Sequence, residues 1–100
     1  MSQFSSFREF YPYYLSEHSD VNCRRLHFVG SWLVLGCVAL AIALANPWWL
    51  LGMPLIGYGF AWIGHFFFEH NKPATFKNPF YSLAGDWVMF KDILIGRVRI

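Results

Sequence analysis

The chain has 100 residues and a formal net charge of +2, and 56% of it is apolar, 21% aromatic and 14% charged. A soluble domain normally carries about 25% charged residues, so this composition indicates a membrane protein, with residues 1–100 in one domain. No basic stripe marks a nucleic-acid-binding surface, and we expect no nucleic-acid partner. Cys23 and Cys37 are too few for a disulfide scaffold, and we expect both to be free thiols.

Residues 1–18 form an aromatic segment before the first apolar run. The aromatic side chains that recur at helical spacing are Phe7, Phe10, Tyr11 and Tyr14. Ser6 and Glu9 have the spacing of a capping box, whereas Pro12 interrupts the pattern. We therefore predict a short or kinked amphipathic helix that lies in the membrane interface. The alternative is an aromatic segment that packs on the core.

A first transmembrane helix is predicted over residues 21–45. Ser19 and Asp20 are good N-cap residues just before it. Its uncharged part, residues 28–45, covers about 27 Å, which is close to the thickness of a bilayer core of about 30 Å. An asparagine–proline pair then ends the helix.

A second transmembrane helix is predicted over residues 48–70, where the chain is again strongly apolar. Pro54 lies in its first third and either kinks this helix or marks its true start. Gly57, Ala61 and Gly64 form a stripe of small residues, which lets two membrane helices approach closely. Because the connection between the two runs is short, the helices must be antiparallel neighbours.

The basic residues are distributed asymmetrically. None lies in the connection between the two apolar runs; all of them flank the hairpin on the side of the termini, at Arg8, Arg24, Arg25, Lys72, Lys77, Lys91, Arg97 and Arg99. The positive-inside rule places such a side in the cytoplasm. We therefore expect both termini to be cytoplasmic, in a bacterial inner membrane or, in a eukaryote, in the endoplasmic reticulum.

A last helix is predicted over residues 79–95, starting after an asparagine and ending at Gly96. It is a poor transmembrane span because it contains the charged residues Asp86, Lys91 and Asp92. An interfacial helix across the open end of the hairpin, where the termini lie, explains it better. The expected fold class is thus an all-α membrane protein: a two-helix transmembrane hairpin flanked by N- and C-terminal amphipathic interfacial helices.

The hairpin would bring four histidines to its open end: His18, His27, His65 and His70. Glu69 shares a helix face with His65, four residues before it, and is a further candidate ligand. His70 is turned about 140° from His65 and reaches the same ion only if the helix ends near Glu69. Asp86 is a ligand, a partner of a ligating imidazole or a solvated helix residue, and its spacing favours the last.

Several chemistries suit such a cluster. Imidazoles with carboxylates bind zinc, iron or another first-row metal, and with open positions they are typical of non-haem iron oxygenases. Haem held by two histidines is also compatible with a two-helix hairpin. The sequence pattern is thus compatible with three functions: an oxygenase, a non-enzymatic membrane-interaction hairpin with histidine anchors, and a haem or quinone electron-transfer module.

Three blocks of sequence, together well over half of the chain, resemble the small membrane family typified by the fungal 2-hydroxy-fatty-acid dioxygenase. They read FYPYYLSEHSDVNCRRLHFVG, GYGFAWIGHFFFEHNKPATFKNP and YSLAGDWVMFKD. The resemblance implies an Fe(II)-dependent dioxygenase that shortens 2-hydroxy fatty acids by one carbon (α-oxidation) at the membrane surface. Its partners would be the lipid substrate and O₂.

The resemblance also implies roles for particular residues. His18, His27 and His65 match the histidine positions of the family and would be metal ligands and catalytic residues. Glu69 matches the glutamate of a Gly-His-x-x-Phe-Glu motif and would be a catalytic residue, as a ligand or as a partner of one. His70 departs from the pattern, because lysine is common at that position.

Further matches lie around these positions. Pro73 and Ala74 match a Pro-Ala pair after the motif. Asn22, Arg24 and Arg25 lie between the first two histidines, where they would orient ligands or bind the substrate carboxylate. Because two helices bury little surface against each other, we also expect a homo-oligomer.

Overall fold

The computed structural model describes residues 4–73 and 76–100, so Ala74 lies outside the described residues. The described chain contains no strand, and its α-helices are α1 (Phe7–Ser16), α2 (Val21–Ala43), α3 (Gly52–Ile63) and α4 (Pro79–Leu94). A 3₁₀ turn over Pro47–Leu51 leads into α3, and a π-helical segment over Gly64–Glu69 continues it. The predicted all-α fold class is confirmed.

Two helical stretches of 23 residues, Val21–Ala43 and Pro47–Glu69, are long and apolar enough to cross a membrane. Of the 18 most apolar consecutive residues in each stretch, only 22% and 11% are buried. The core helix of a soluble protein would be mostly buried. Large apolar side chains such as Ile42, Trp48 and Leu55 lie on their outer faces. The two stretches pack against each other as an antiparallel hairpin.

Side-chain caps define where these stretches begin. The Asp20 carboxylate accepts hydrogen bonds from the backbone N–H groups of Asn22 (2.8 Å) and Cys23 (3.2 Å) at the start of α2. In the connection, the Asn46 side chain accepts one from the N–H of Trp48 (3.1 Å). Each predicted span differs from the observed stretch by at most two residues at either end.

Close packing in the hairpin depends on glycine. A Cβ atom would lie 2.8–2.9 Å from a side chain of the opposite stretch at three positions: Gly30 against Phe60, Gly52 against Cys37, and Gly64 against Cys23. Of the predicted stripe of small residues, Gly64 therefore lies at a tight contact. A Cβ at Gly57 would lie at an ordinary 3.6 Å from Val34.

The start of α1 matches the predicted capping box. Ser6 is the N-cap residue, and its Oγ accepts a hydrogen bond from the N–H of Glu9 at 3.2 Å. The Glu9 carboxylate reaches back to the N–H (3.1 Å) and hydroxyl (2.7 Å) of Ser5. Pro12 lies inside the helix.

The helices α1 and α4 share a small core outside the hairpin, formed by Phe10, Tyr14, Met89 and Ile93. For Phe10 and Tyr14, the structure therefore agrees with the alternative of aromatic side chains packed on a core. Leu83 and Leu94 of α4 are exposed. The buried residues of this helix are Ser82, Gly85, Met89, Phe90, Asp92 and Ile93.

The ends of α4 and its contact with α2 place it beside the hairpin. Asn78 is its N-cap residue without a side-chain cap bond, and Gly96 follows its C-cap with a φ of 83°. The ring of Phe90 lies 5.3 Å from the ring of Phe28 in α2. The helix pair of α1 and α4 thus covers one side of α2 near its N-terminal end.

We expect Gly64→Ala to lower the free energy of unfolding by about 1–3 kcal/mol. Its Cβ would lie 2.9 Å from Cys23 Sγ and 3.2 Å from Cys23 Cα, so the backbone of α2 has to move. Gly59→Ala is the matched control, because no atom of the described residues lies within 4 Å of a Cβ at that position. Thermal unfolding in detergent measures both, and equal melting temperatures would contradict this account of the packing.

Candidate metal centre

Three buried histidines from three segments meet at the open end of the hairpin. His18 follows α1, His27 lies in α2, and His65 is the second residue of the π-helical segment. The Nε2 atom of His18 lies 3.1 Å from Nε2 of His27 and 2.9 Å from Nε2 of His65. The three ring planes stand at 78–89° to one another.

The other ring nitrogen of each histidine, Nδ1, faces an oxygen acceptor. The pairs are His18 with the Tyr14 carbonyl (2.7 Å), His27 with the Cys23 carbonyl (2.9 Å) and His65 with Asn71 Oδ1 (2.7 Å). The Asn71 amide donates to the Glu17 carbonyl at 3.2 Å, which leaves its Oδ1 for the histidine. Because these oxygens can only accept, Nδ1 carries the proton in all three rings, and each Nε2 bears a lone pair.

Three converging lone pairs repel one another unless a positive species lies between them. A proton is disfavoured, because burial and then the neighbouring His27 and His65 hold the pKa of His18 well below its ordinary value. A metal ion fits, since two nitrogens at right angles and about 2.1 Å from an ion are about 3.0 Å apart. A second ring N–H donated to an oxygen is also the usual arrangement of metal-ligating histidines.

Cys23 is a fourth buried member of this group, and its Sγ lies within 4.8 Å of the ligand atoms of the three histidines. Its contact with His27 is on the Nδ1 side of the ring, at 3.7 Å. The expectation of free thiols is confirmed for both cysteines. The proximity of Cys23 to the site was not predicted, although its spacing of four residues to His27 on one helix is the signal for it.

Glu69 and His70 lie outside the cluster. The Glu69 carboxylate accepts hydrogen bonds from the backbone N–H of Asp20 and from the Ser19 hydroxyl at 3.1 Å. It thus lies at the N-terminus of α2, where the helix dipole favours an anion. His70 is exposed, with a left-handed backbone (φ 57°, ψ 37°) that ends the π-helical segment.

The local structure around His65 is uncommon. In a π-helical segment each backbone hydrogen bond spans five residues instead of four, and such segments are often found at functional sites. The N–H of Asn71 donates to the carbonyl of His65 at 3.0 Å, so Asn71 binds both the backbone and the ring of this histidine. Gly64, which precedes it, allows the close contact with α2.

The residues expected to bind the substrate carboxylate are not brought to the cluster. Asn22 and Arg25 are exposed. The Arg24 guanidinium donates at 2.6–3.1 Å to three backbone carbonyls, those of His18, Ser19 and Arg99. Arg24 therefore fixes the connection between α1 and α2, which carries His18.

Asp86 is not the solvated helix residue that its spacing favours. Its carboxylate accepts a hydrogen bond from the hydroxyl of Tyr14, whose ring stacks on His18 at a centroid distance of 4.0 Å. Burial raises the pKa of Asp86 to about 7, and the bond from Tyr14 opposes this rise. Burial and the Asp86 charge raise the pKa of Tyr14 well above its ordinary value.

A cavity of about 230 Å³ extends from His27 between α2, α3 and α4. Asp86 lines it too and connects to His27 through Tyr14, which donates to Asp86 and stacks on His18 beside His27. Apolar side chains such as Val34, Met53 and Leu83 also line it. From His27 to Val34, α2 rises by about 10 Å. The cavity therefore has one polar end at the histidine cluster and continues into the apolar part of the hairpin.

If the cluster binds metal, Asn71→Ala should lower the metal affinity about 10- to 100-fold. The variant removes the acceptor that holds the proton on Nδ1 of His65. Asn71→Asp retains an oxygen acceptor and should keep most of the affinity. Competition with a fluorescent chelator measures both variants, and wild-type affinity in Asn71→Ala would contradict the argument from the ring protons.

Comparison with known proteins gives a match to a protein family. A family model described as "2-hydroxy-palmitic acid dioxygenase Mpo1-like" matches residues 4–98, which is nearly the whole chain. No curated protein and no solved structure matches significantly.

Proposed function

Because the chain belongs to the Mpo1-like family, we propose that it is a membrane-bound, Fe(II)-dependent dioxygenase that shortens 2-hydroxy fatty acids by one carbon. The observation that carries this proposal is the convergence of three buried imidazole lone pairs, from His18, His27 and His65. Such a donor set needs a cation, and it lies at the end of two helices that are apolar enough to cross a membrane.

In this proposal His18, His27 and His65 are the metal ligands. Iron held by imidazoles, with positions left for the substrate and O₂, would supply the oxygen chemistry of non-haem oxygenases. Glu69 acts as a positioning residue, because its carboxylate ties the end of the π-helical segment to the start of α2. This contact keeps His65 beside His27.

The cavity suits the tail of a lipid substrate. Its apolar lining lies within the hairpin, and its polar end lies at His27, so an acyl chain would point away from the cluster and its carboxyl end towards it. Among the described residues, neither an arginine nor a lysine lines the cavity. We therefore propose that the metal, and not Arg24, Arg25 or Asn22, compensates the substrate carboxylate. The tail would enter laterally from the bilayer.

His65→Ala should abolish stoichiometric metal binding, whereas His70→Gly should leave it unchanged. The first variant removes one of the three converging lone pairs, and the second changes an exposed residue to one that tolerates its left-handed backbone. Elemental analysis of untagged protein, purified without oxygen and reconstituted with Fe(II), measures both. Formation of the shortened acid from 2-hydroxypalmitic acid should be lost together with the metal.

Other outcomes favour other functions. Wild-type protein that holds no metal after reconstitution would favour the membrane-interaction hairpin, and a Soret band would favour the haem module. Loss of metal in Cys23→Ser as well would indicate a closed set of four protein ligands, three imidazoles and one thiolate, and a closed set is the mark of structural rather than catalytic zinc.

We also propose that both termini face the cytoplasm, as the positions of the basic residues indicate. A membrane-impermeant thiol reagent should then label Asn46→Cys in intact cells but label Lys72→Cys only after lysis. Both positions are exposed, whereas the native Cys23 and Cys37 are buried. Labelling of Lys72→Cys in intact cells would indicate the opposite orientation. The homo-oligomer stays a prediction.

A further inference from the structure

The polar end of the cavity contains one acidic residue. His27, Ser31 and Asp86 lie there, and Asp86 is the only carboxylate among the described residues that line the cavity. The Ser31 hydroxyl already donates to the His27 carbonyl at 2.8 Å. One Asp86 oxygen accepts from the Tyr14 hydroxyl, and no described residue donates to the other. Asp86 therefore offers the cavity a hydrogen-bond acceptor.

Tyr14 holds this acceptor in a fixed place relative to the histidines. Its hydroxyl donates to Asp86, its carbonyl accepts from His18, and its ring stacks on the His18 ring. The helices meet closely here, because a Cβ at Gly85 would lie 2.9 Å from the Tyr14 ring. One buried side chain thus sets the position of both a proposed ligand and a cavity-lining carboxylate.

We propose that Asp86 accepts a hydrogen bond from the 2-hydroxyl group of the substrate and so selects hydroxylated over unsubstituted fatty acids. This inference rests on the proposed function. No lysine or arginine of the described chain lines the cavity, so the substrate carboxyl group turns to the histidine cluster. The carbon that bears the hydroxyl is adjacent to the carboxyl carbon, so the hydroxyl lies at the same polar end as Asp86.

Selection of this kind follows from the cost of an unsatisfied buried acceptor. A site built to bind a hydroxyl rejects the analogue without it, because its own polar group then has no partner. An unsubstituted acid would place a methylene group against this carboxylate.

The chain contains a matched control for Asp86. Asp92 also lies in α4 and also accepts a hydrogen bond from a tyrosine of α1, Tyr11, at 2.7 Å. It does not line the cavity, and it lies 6% exposed near the C-terminal end of α4, whereas Asp86 lies in the middle of the helix. Asp86→Asn and Asp92→Asn therefore make the same chemical change to two tyrosine–aspartate pairs, of which only one faces the cavity.

The experiment compares equilibrium binding of 2-hydroxypalmitic acid and palmitic acid to iron-loaded protein without oxygen. We expect the wild type and Asp92→Asn to prefer the hydroxy acid by about 10- to 100-fold. Asp86→Ala should bring the two affinities to within about threefold, since the acceptor is lost. Asp86→Asn, which keeps a neutral acceptor and the shape of the side chain, should reduce the preference by about tenfold. Iron content and thermal unfolding confirm that each variant is folded and loaded.

Two failures are distinguishable. If the wild type neither converts nor prefers the hydroxy acid, the proposed function fails, and this inference fails with it. If the wild type converts and prefers it, but folded and iron-loaded Asp86→Asn and Asp86→Ala keep the full preference, only the role of Asp86 is overturned.

Discussion

The chemistry of the cluster depends on where three ring protons lie. Each Nδ1–H is held by an oxygen, and for His18 and His27 this oxygen is the carbonyl four residues earlier. A histidine side chain in a helix leans towards the preceding turn, so this bond forms where the sequence is already helical. His65 lies in a π-helical segment and uses Asn71 instead. With all three protons fixed on one side, the other nitrogens have only lone pairs to present to one another.

Two parts of the chain contribute to this arrangement. The hairpin carries His27 and His65, and close contacts at its glycines bring them together. The pair of α1 and α4 contributes Asp86 and, through the connection after α1, His18. Within this pair of helices Tyr14 connects His18 to Asp86, because its backbone carbonyl binds His18 and its hydroxyl binds Asp86. The aromatic segment at the N-terminus is therefore part of the candidate site as well as of the small core.

Long apolar runs, cap residues and the short connection are local features, so the sequence was sufficient to predict two antiparallel helices and the meeting of His18, His27 and His65. The same prediction included His70, which is exposed instead. The places of Glu69 and Asp86 could not be predicted in this way. Each depends on a partner about 50 to 70 residues distant, Asp20 for Glu69 and Tyr14 for Asp86. The rotation of α4 about its own axis could not be predicted either, because its exposed face carries Leu83 and its buried face includes Gly85. Periodicity alone cannot distinguish two such faces.

His18 lies outside the hairpin that carries His27 and His65, and this affects when the cluster can form during synthesis. Insertion of the two apolar stretches into a bilayer would bring His27 and His65 together, but it would supply only two of the three imidazoles. The third is held by the segment after α1, and α1 docks on α4, which is synthesised after the hairpin. The full set of contacts around the three-imidazole cluster therefore forms only after α4 has emerged, so metal loading would follow insertion of the hairpin.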